Sequence, residues 1–288
     1  MSNAQRVFHG DFGRVALLDM DEPLVPHAHS ECHVLLKAMG ADTYFSVRGQ
    51  QQPLTDRTAV LVNAWEPHYY DHRPDAPRTL ILALYIEPTW LAELQRSLAL
   101  SGRPDFFSRR CVDLTPQMRA IADTLIAQMM ELGPAPQDRV ESLLSELLVG
   151  ICESFSEWRH LSRMRVSAPT AYYDVRIRRA NEYLMTHYAE EVRMDELAAE
   201  CGLSRAHFFA LFKKGTGMTP HMVLNMIRMK KACEWLATSR TGTLGNLSDS
   251  LGFSEQGHFT RFFRNHLGAA PSQYQRVVDR YGAQMRQL

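Results

Sequence analysis

Two stretches of the chain carry the same short pattern. GLSRAHFFALFKKGTG begins at Gly202 and GFSEQGHFTRFFRNHLG begins at Gly252. Phe208 aligns with Phe259, Phe212 with Phe263, Lys213 with Arg264, Gly217 with Gly268 and Pro220 with Pro271. The second copy has one extra residue just after its serine. A repeat of this kind constrains everything around it, because each copy has to be one supersecondary unit and the segment between them a spacer. Each copy reads as helix, sharp turn, helix. Gly202 and Gly252 suit the turn, and Ser204 and Ser254 suit the cap of the helix that follows. Phe208, Leu211 and Phe212 in the first copy, and Phe259, Phe262 and Phe263 in the second, recur at helical spacing and are expected in the core. Between the copies, TPHMVLNMIRMKKACEWLAT reads as one helix of about five turns.

A helix-turn-helix carried twice on a rigid spacer fits a reader of two successive major grooves, about 34 Å apart on one face of a duplex. Charge supports this only after the chain is divided. The net charge is zero, yet from Ala171 onward there are 16 Lys/Arg against 11 Asp/Glu, and the remainder carries the opposite imbalance. Paired helix-turn-helix units can also be purely structural, but Lys213, Lys214, Arg261 and Arg264 at recurrent positions favour DNA contact.

The motifs LAAECGLS, FKKGTG, IRMKKACEWL, LGFSEQGHFTRFFRNHLG and APSQYQR, in this order over about 110 residues, make the C-terminal part similar to the DNA-binding domain of the AraC/XylS family of bacterial transcription regulators. The resemblance implies base-reading positions near the start of each second helix: Gln256, Gly257, Thr260 and Arg261 in the second copy, and Arg205, Ala206, Phe209 and Ala210 in the first. Phe209 and Ala210 depart from the polar or basic residues usual in the family, and apolar contact with thymine methyls or dependence on Arg205 would replace them. Ser204, Ser254, Lys213, Lys214, Arg228 and Arg264 are expected at phosphates, with a structural ion pair as the alternative for Arg228. The resemblance further implies promoter DNA, RNA polymerase and a small-molecule effector as partners, and activation of transcription.

The N-terminal part is of a different kind. CHVLLKAMG, DTYFSV, DRTAVLVN and RTLILALYIE read as short strands, with RGQQQP as a hairpin connection, and suggest a small barrel or sandwich over about 1–88. Two amphipathic helices follow within 89–161, with stripes Met118–Met129 and Val140–Phe155, turned by ELGPAPQD. They either cover the barrel or form the seam of a homodimer through about 117–161, and the length of the second stripe favours the seam. LSRMRVSAPTAY marks a linker, placed at 162–172, between a sensing domain (1–161) and a DNA-binding domain (173–288). The fold class expected is α+β.

VPHAHSECHVLL and NAWEPHYYDH gather histidines and a carboxylate. On a strand His27, His29, Glu31 and His33 would share a face. The pattern resembles the histidine motifs of the cupin barrel. Three readings stay open: a divalent metal held by His27, His29, Glu31 or His33, and His68; a metal-free effector pocket using His27, His29, Glu31, His33 and His68 with Tyr44, Trp65 and Tyr69 as walls; or inherited scaffold. The organic pocket leads, and no cofactor is assigned. A metal-dependent cupin enzyme is the alternative function, and the expectation is that the chain is not an enzyme. Five scattered cysteines without CxxC spacing, no apolar leader and no run long enough to cross a bilayer point to a cytoplasmic protein with no membrane partner.

Overall fold

The computed structural model describes residues 2–73, 75–102, 105–131, 133, 135–156, 174–216, 218–239 and 242–280. Its strands are β1 (Asn3–Gly10), β2 (Gly13–Met20), β3 (Cys32–Gly40), β4 (Thr43–Val47), β5 (Gln50–Leu54), β6 (Thr58–Val62), β7 (His68–Tyr70), β8 (Thr79–Ile86), β9 (Cys111–Asp113) and β10 (Val278–Arg280). They form a seven-stranded sheet in the order β10-β1-β2-β8-β3-β6-β9 and a three-stranded sheet in the order β5-β4-β7. The expected barrel or sandwich is built of two separately hydrogen-bonded sheets.

The central strands β2, β3 and β8 are apolar on both faces, because both are covered. Val15, Leu17, Val34, Leu36, Leu82 and Leu84 face one core, which also holds the buried residues of α2 (Pro116–Met130) and α3 (Gln137–Phe155). Their alternate neighbours Ala16, Leu18, Leu35, Ile81, Ala83 and Tyr85 face a second core. A short helix, α1 (Pro88–Leu94), leads out of β8.

Two expectations are corrected here. The stripe Val140, Leu143, Leu144, Leu147, Leu148 and Ile151 is buried within the chain itself. Periodicity identifies which face of a helix is apolar but not what covers it, so the stripe supplies no dimer seam. The hairpin turn is Arg48-Gly49, and Gln50–Leu54 is a strand with Val47 paired to Gln50. Both turn residues have positive φ, 51° and 78°, as a two-residue hairpin loop with the right twist requires.

The C-terminal part comprises α4 (Val175–Thr186), α5 (Met194–Glu200), α6 (Arg205–Thr216), α7 (Pro220–Thr238), α8 (Leu244–Ser250), α9 (Gln256–Leu267) and α10 (Pro271–Val277). α5 with α6, and α8 with α9, are the two helix-turn-helix units. α7 has 19 residues, so it is about 28 Å long. Phe208 and Phe212 are buried with Ile177, Leu184 and Leu197 in the first unit's core. Phe259, Phe263 and Tyr274 are buried in the second core, the one that also contains the sheet residues Leu18 and Met20, and Leu24 beyond them. Leu211 and Phe262, expected in the core, are half-buried. The expected linker lies outside the described residues.

The division into sensor and reader is crossed by β10. This strand follows the second unit and pairs in parallel with β1, Val7 opposite Val278. Asp279 on it receives the Arg6 guanidinium at 2.7 Å. The second unit is thereby docked on the sensor sheet.

Candidate functional site

The positions expected to read bases sit at helix starts that lie in the open. Ser204 precedes α6 and its hydroxyl accepts from the His207 amide at 3.4 Å. In the second copy the extra residue moves the start along: Glu255 occupies the cap position with no side-chain bond, and Ser254 stands 3.4 Å from His258 Nδ1 instead. Gln256, Gly257, Arg261 and Arg264 are exposed, and Thr260 is half-buried with its hydroxyl donating to the Gln256 carbonyl at 2.9 Å. Among the described residues neither Arg261 nor Arg264 has an ion-pair partner, and the same holds for the exposed Lys213 and Lys214.

The first copy presents a different face. Arg205, Ala206 and Ala210 are exposed, while Phe209 is half-buried against Phe208 and His221. Arg205 reaches Asp195 at 2.7 Å and lies over the Phe209 ring. Both partners of that pair are exposed, and such pairs are worth about 0–1 kcal/mol, so a base or phosphate can take the guanidinium over. Arg228 is another matter. It donates to the backbone carbonyls of Tyr188 at 2.8 Å and Glu190 at 2.9 Å and lies over the Phe253 ring. It ties α7 to the segment before α5 and does not stand free for a phosphate. His207 and His258 occupy the same repeat position and are both exposed. They are not among the contacts expected from the sequence, although their matched places in the two copies are a signal that could have found them.

A second site lies between sensor and reader. A cavity of about 220 Å³ is walled by His27, His29 and Glu31 on one side and by Met222, Met226 and Lys230 of α7 on the other. Lys230 Nζ crosses to Glu87 Oε1 at 2.6 Å. Burial works against the Lys230 charge, but Glu31 and Glu87 outweigh it and raise its pKa. Arg14, on the same cavity, donates to Cys233 Sγ at 2.7 Å and lies 3.7 Å over the Tyr85 ring, and its Nε has no acceptor.

The histidines do cluster, though not by strand alternation. Residues 27–31 precede β3 and form no strand; only the bridge from His27 to His68 is paired. His33 is fully buried and stacks on Tyr85 at 4.0 Å. The loop leading into His68 of β7 is anchored by Glu66, whose buried carboxylate meets Arg48 Nε at 2.6 Å, Arg110 Nη2 at 2.7 Å and the Asn63 amide at 3.0 Å. Burial, with the mutual repulsion of the rings, holds His27, His29 and His33 well below the ordinary imidazole range and His68 down to about 3.

Of the residues expected in an effector pocket, His27, His29 and Glu31 line this cavity, and His33, Tyr44, Trp65, His68 and Tyr69 do not. Tyr44 lies under Arg73 on β4, in the three-stranded sheet. Trp65 has φ 65° and packs against the first unit's core. It lines a separate cleft with Ile177 and Val223. The α7 wall of the cavity was not legible in the sequence, since it is about 200 residues from the histidines.

An AraC-like ligand binding domain model matches residues 20–148, and a helix-turn-helix domain model matches residues 197–277. The transcriptional activator RhaS of Shigella sonnei is 26% identical over 261 residues, 87% of this chain and 89% of that protein. The Msm operon regulatory protein of Streptococcus mutans is 25% identical over 163 residues, 54% of this chain and 56% of that protein. In three dimensions the chain is similar to apo ToxT K231A from Vibrio cholerae, with a TM-score of 0.55 and 12% identity over 92% of this chain and 97% of that one. It is also similar to ToxT with an unsaturated fatty acid bound, with a TM-score of 0.53 and 13% identity over 96% of this chain and 94% of that one. These are likenesses of fold. The relatives are regulators of transcription, so the cupin-enzyme alternative gains no support.

Proposed function

The chain belongs to the AraC family of DNA-binding transcription regulators, and from that premise we propose that it activates transcription under the control of a small organic anion bound between its sensor and its DNA reader. The observation that carries this reading is the cavity itself, whose two walls belong to the two functional parts and are bridged by Lys230 and Glu87. An occupant contacting both walls favours one arrangement of α7 and the sheet over others. Linkage then makes DNA affinity depend on the occupant. Methionines supply an apolar wall, and Arg14 with Lys230 supplies positive charge, which suits a carboxylate on an apolar body.

In this reading α6 and α9 enter successive major grooves, Arg261 pairs with guanine, and Lys213, Lys214 and Arg264 neutralise phosphates. RNA polymerase is the expected protein partner in the cytoplasm. A second copy would dock through the outer faces of α2 and α3, since their inner faces are filled. No helix is long and apolar enough to cross a membrane among the described residues.

The experiment is selection of bound duplexes from a random pool by the full chain. The expected product is a site with two short motifs one helical turn apart. Failure to enrich any sequence would remove the regulator reading.

A further inference from the structure

His27, His29 and His68 form a constellation that effector binding alone does not call for. One ring nitrogen of each lies within 4.8 Å of those of the other two. The ring centroids are 4.5 Å apart for His27 and His68, 4.9 Å for His29 and His68, and 6.1 Å for His27 and His29. The hydrogen bonds decide which nitrogen is bare. Nδ1 of His27 faces the Val25 carbonyl at 2.8 Å, Nδ1 of His29 the Glu31 carbonyl at 3.1 Å, and Nδ1 of His68 the Glu66 carbonyl at 2.8 Å. A carbonyl oxygen only accepts, so each Nδ1 carries the hydrogen and each Nε2 of a neutral ring presents a lone pair. Metal-binding imidazoles are oriented in this way, with the far N–H on a carbonyl or carboxylate.

The lone pairs are poorly served by the protein. His29 Nε2 is buried without a hydrogen-bond partner. The donor that reaches His68 Nε2 is His33 Nδ1, at 3.1 Å. One ring nitrogen of each of the three thus lies within 4.8 Å of the other two, and His33 supplies the one donor to an Nε2 among them within the described residues. A cation among the three rings would take the lone pair of His29 Nε2 and compete with His33 for that of His68.

We propose that His27, His29 and His68 hold one divalent transition-metal ion through Nε2, with zinc the best match, and that its remaining position takes the anionic oxygen of the effector. Three imidazoles without a thiolate suit zinc, and the absence of a carboxylate from the set disfavours magnesium and calcium. His27 and His29 also line the cavity between sensor and reader, so the open position faces it. Arg14 and Lys230 on the same cavity add positive charge, which selects an anion there. His266 of α9 is the nearest ring across the gap, with its centroid 6.2 Å from His27, and is not one of the three. The metal half of this proposal stands by itself; the anion half rests on the cavity being the effector site.

The test uses the full chain, stripped with a chelator and titrated with Co²⁺. One equivalent should bind with the intense visible bands of a four-coordinate ion. His29→Gln and His68→Gln should each abolish the bands and weaken Zn²⁺ binding by more than the about 10–100-fold that loss of an outer hydrogen-bond partner costs. His33→Phe, which removes a donor and no ligand, should keep them. Circular dichroism and the metal-free unfolding midpoint identify any variant that has failed to fold. No binding, or binding that survives both glutamine variants in folded protein, overturns the site. Benzoate is the probe for the open position. It should shift the Co²⁺ bands in the wild type and not in Met226→Trp, which fills the cavity yet leaves the stoichiometry at one. Bands indifferent to benzoate overturn the anion half only. Stoichiometric metal in a chain that selects no DNA sequence keeps the ion and overturns the regulator.

Discussion

The two helix-turn-helix units share a plan and differ in almost everything the plan leaves open. In the first, the exposed start of α6 is sparse in polar groups, Arg205 is held by Asp195, and the core is its own apart from Ala28 and Trp65 at its edge. In the second, α9 offers Gln256, Arg261 and Arg264 to solvent, and its core is continuous with the sensor sheet. The unit with the richer reading surface is the one most firmly fixed to the sensor. Under the proposed reading, the first copy would position the duplex and the second would discriminate its sequence.

The largest effects should test the cores. Phe263→Ala removes a fully buried ring and should cost about 3–5 kcal/mol. Because this core includes the sheet, the loss should appear in the unfolding of sensor and reader together. Phe212→Ala should cost a similar amount and shift only the transition of the first unit. Urea unfolding followed by near-ultraviolet circular dichroism separates the two, and identical behaviour would erase the contrast.

The turn glycines give a sharper version of the same comparison. Both have positive φ, 65° at Gly202 and 74° at Gly252. A Cβ at Gly202 meets nothing within 4 Å, whereas one at Gly252 would stand 2.7 Å from the Ala189 carbonyl oxygen. Gly202→Ala should therefore lose only the left-handed penalty, about 1–2 kcal/mol. Gly252→Ala adds a clash with backbone and should lose clearly more in the same unfolding assay.

On DNA, Arg261→Ala should lose about 1–3 kcal/mol of discrimination at one base pair, and Arg205→Ala less. Competition binding against single-base operator variants measures this, and equal losses on cognate and random duplex would remove Arg261 as a base reader. The smallest effect is Lys213→Ala, a uniform weakening that lowers the salt slope by about 1. Arg228→Ala should leave that slope unchanged and reduce stability, because its guanidinium serves carbonyls.

Local rules made the C-terminal half readable. Phenylalanine spacing, turn glycines and a 19-residue helix are all set within a few turns of chain. What stayed hidden was set at long range. Gln50–Leu54 is a strand without apolar alternation, since its pairing with β4 uses backbone groups. The stripe on α3 announced an apolar face and left its partner open. The histidines were visible as a cluster, but a bridge to His68 and not strand alternation brings them together. The opposite wall of their cavity depends on how two parts of the chain dock.

The parallel pairing of β10 with β1 has a mechanical consequence. A reader joined to its sensor by a linker alone would be a weight on a string, free to turn. Here the strand that follows the second unit is stitched to the first strand of the sensor, so that unit is gripped beyond α9 as well as before it. Any widening of the gap between the two parts must then act as a hinge with its pin at β1. Arg6 and Asp279 sit beside that pin, and the packing of Ala28 and Trp65 on the first unit's core is what such a motion has to break.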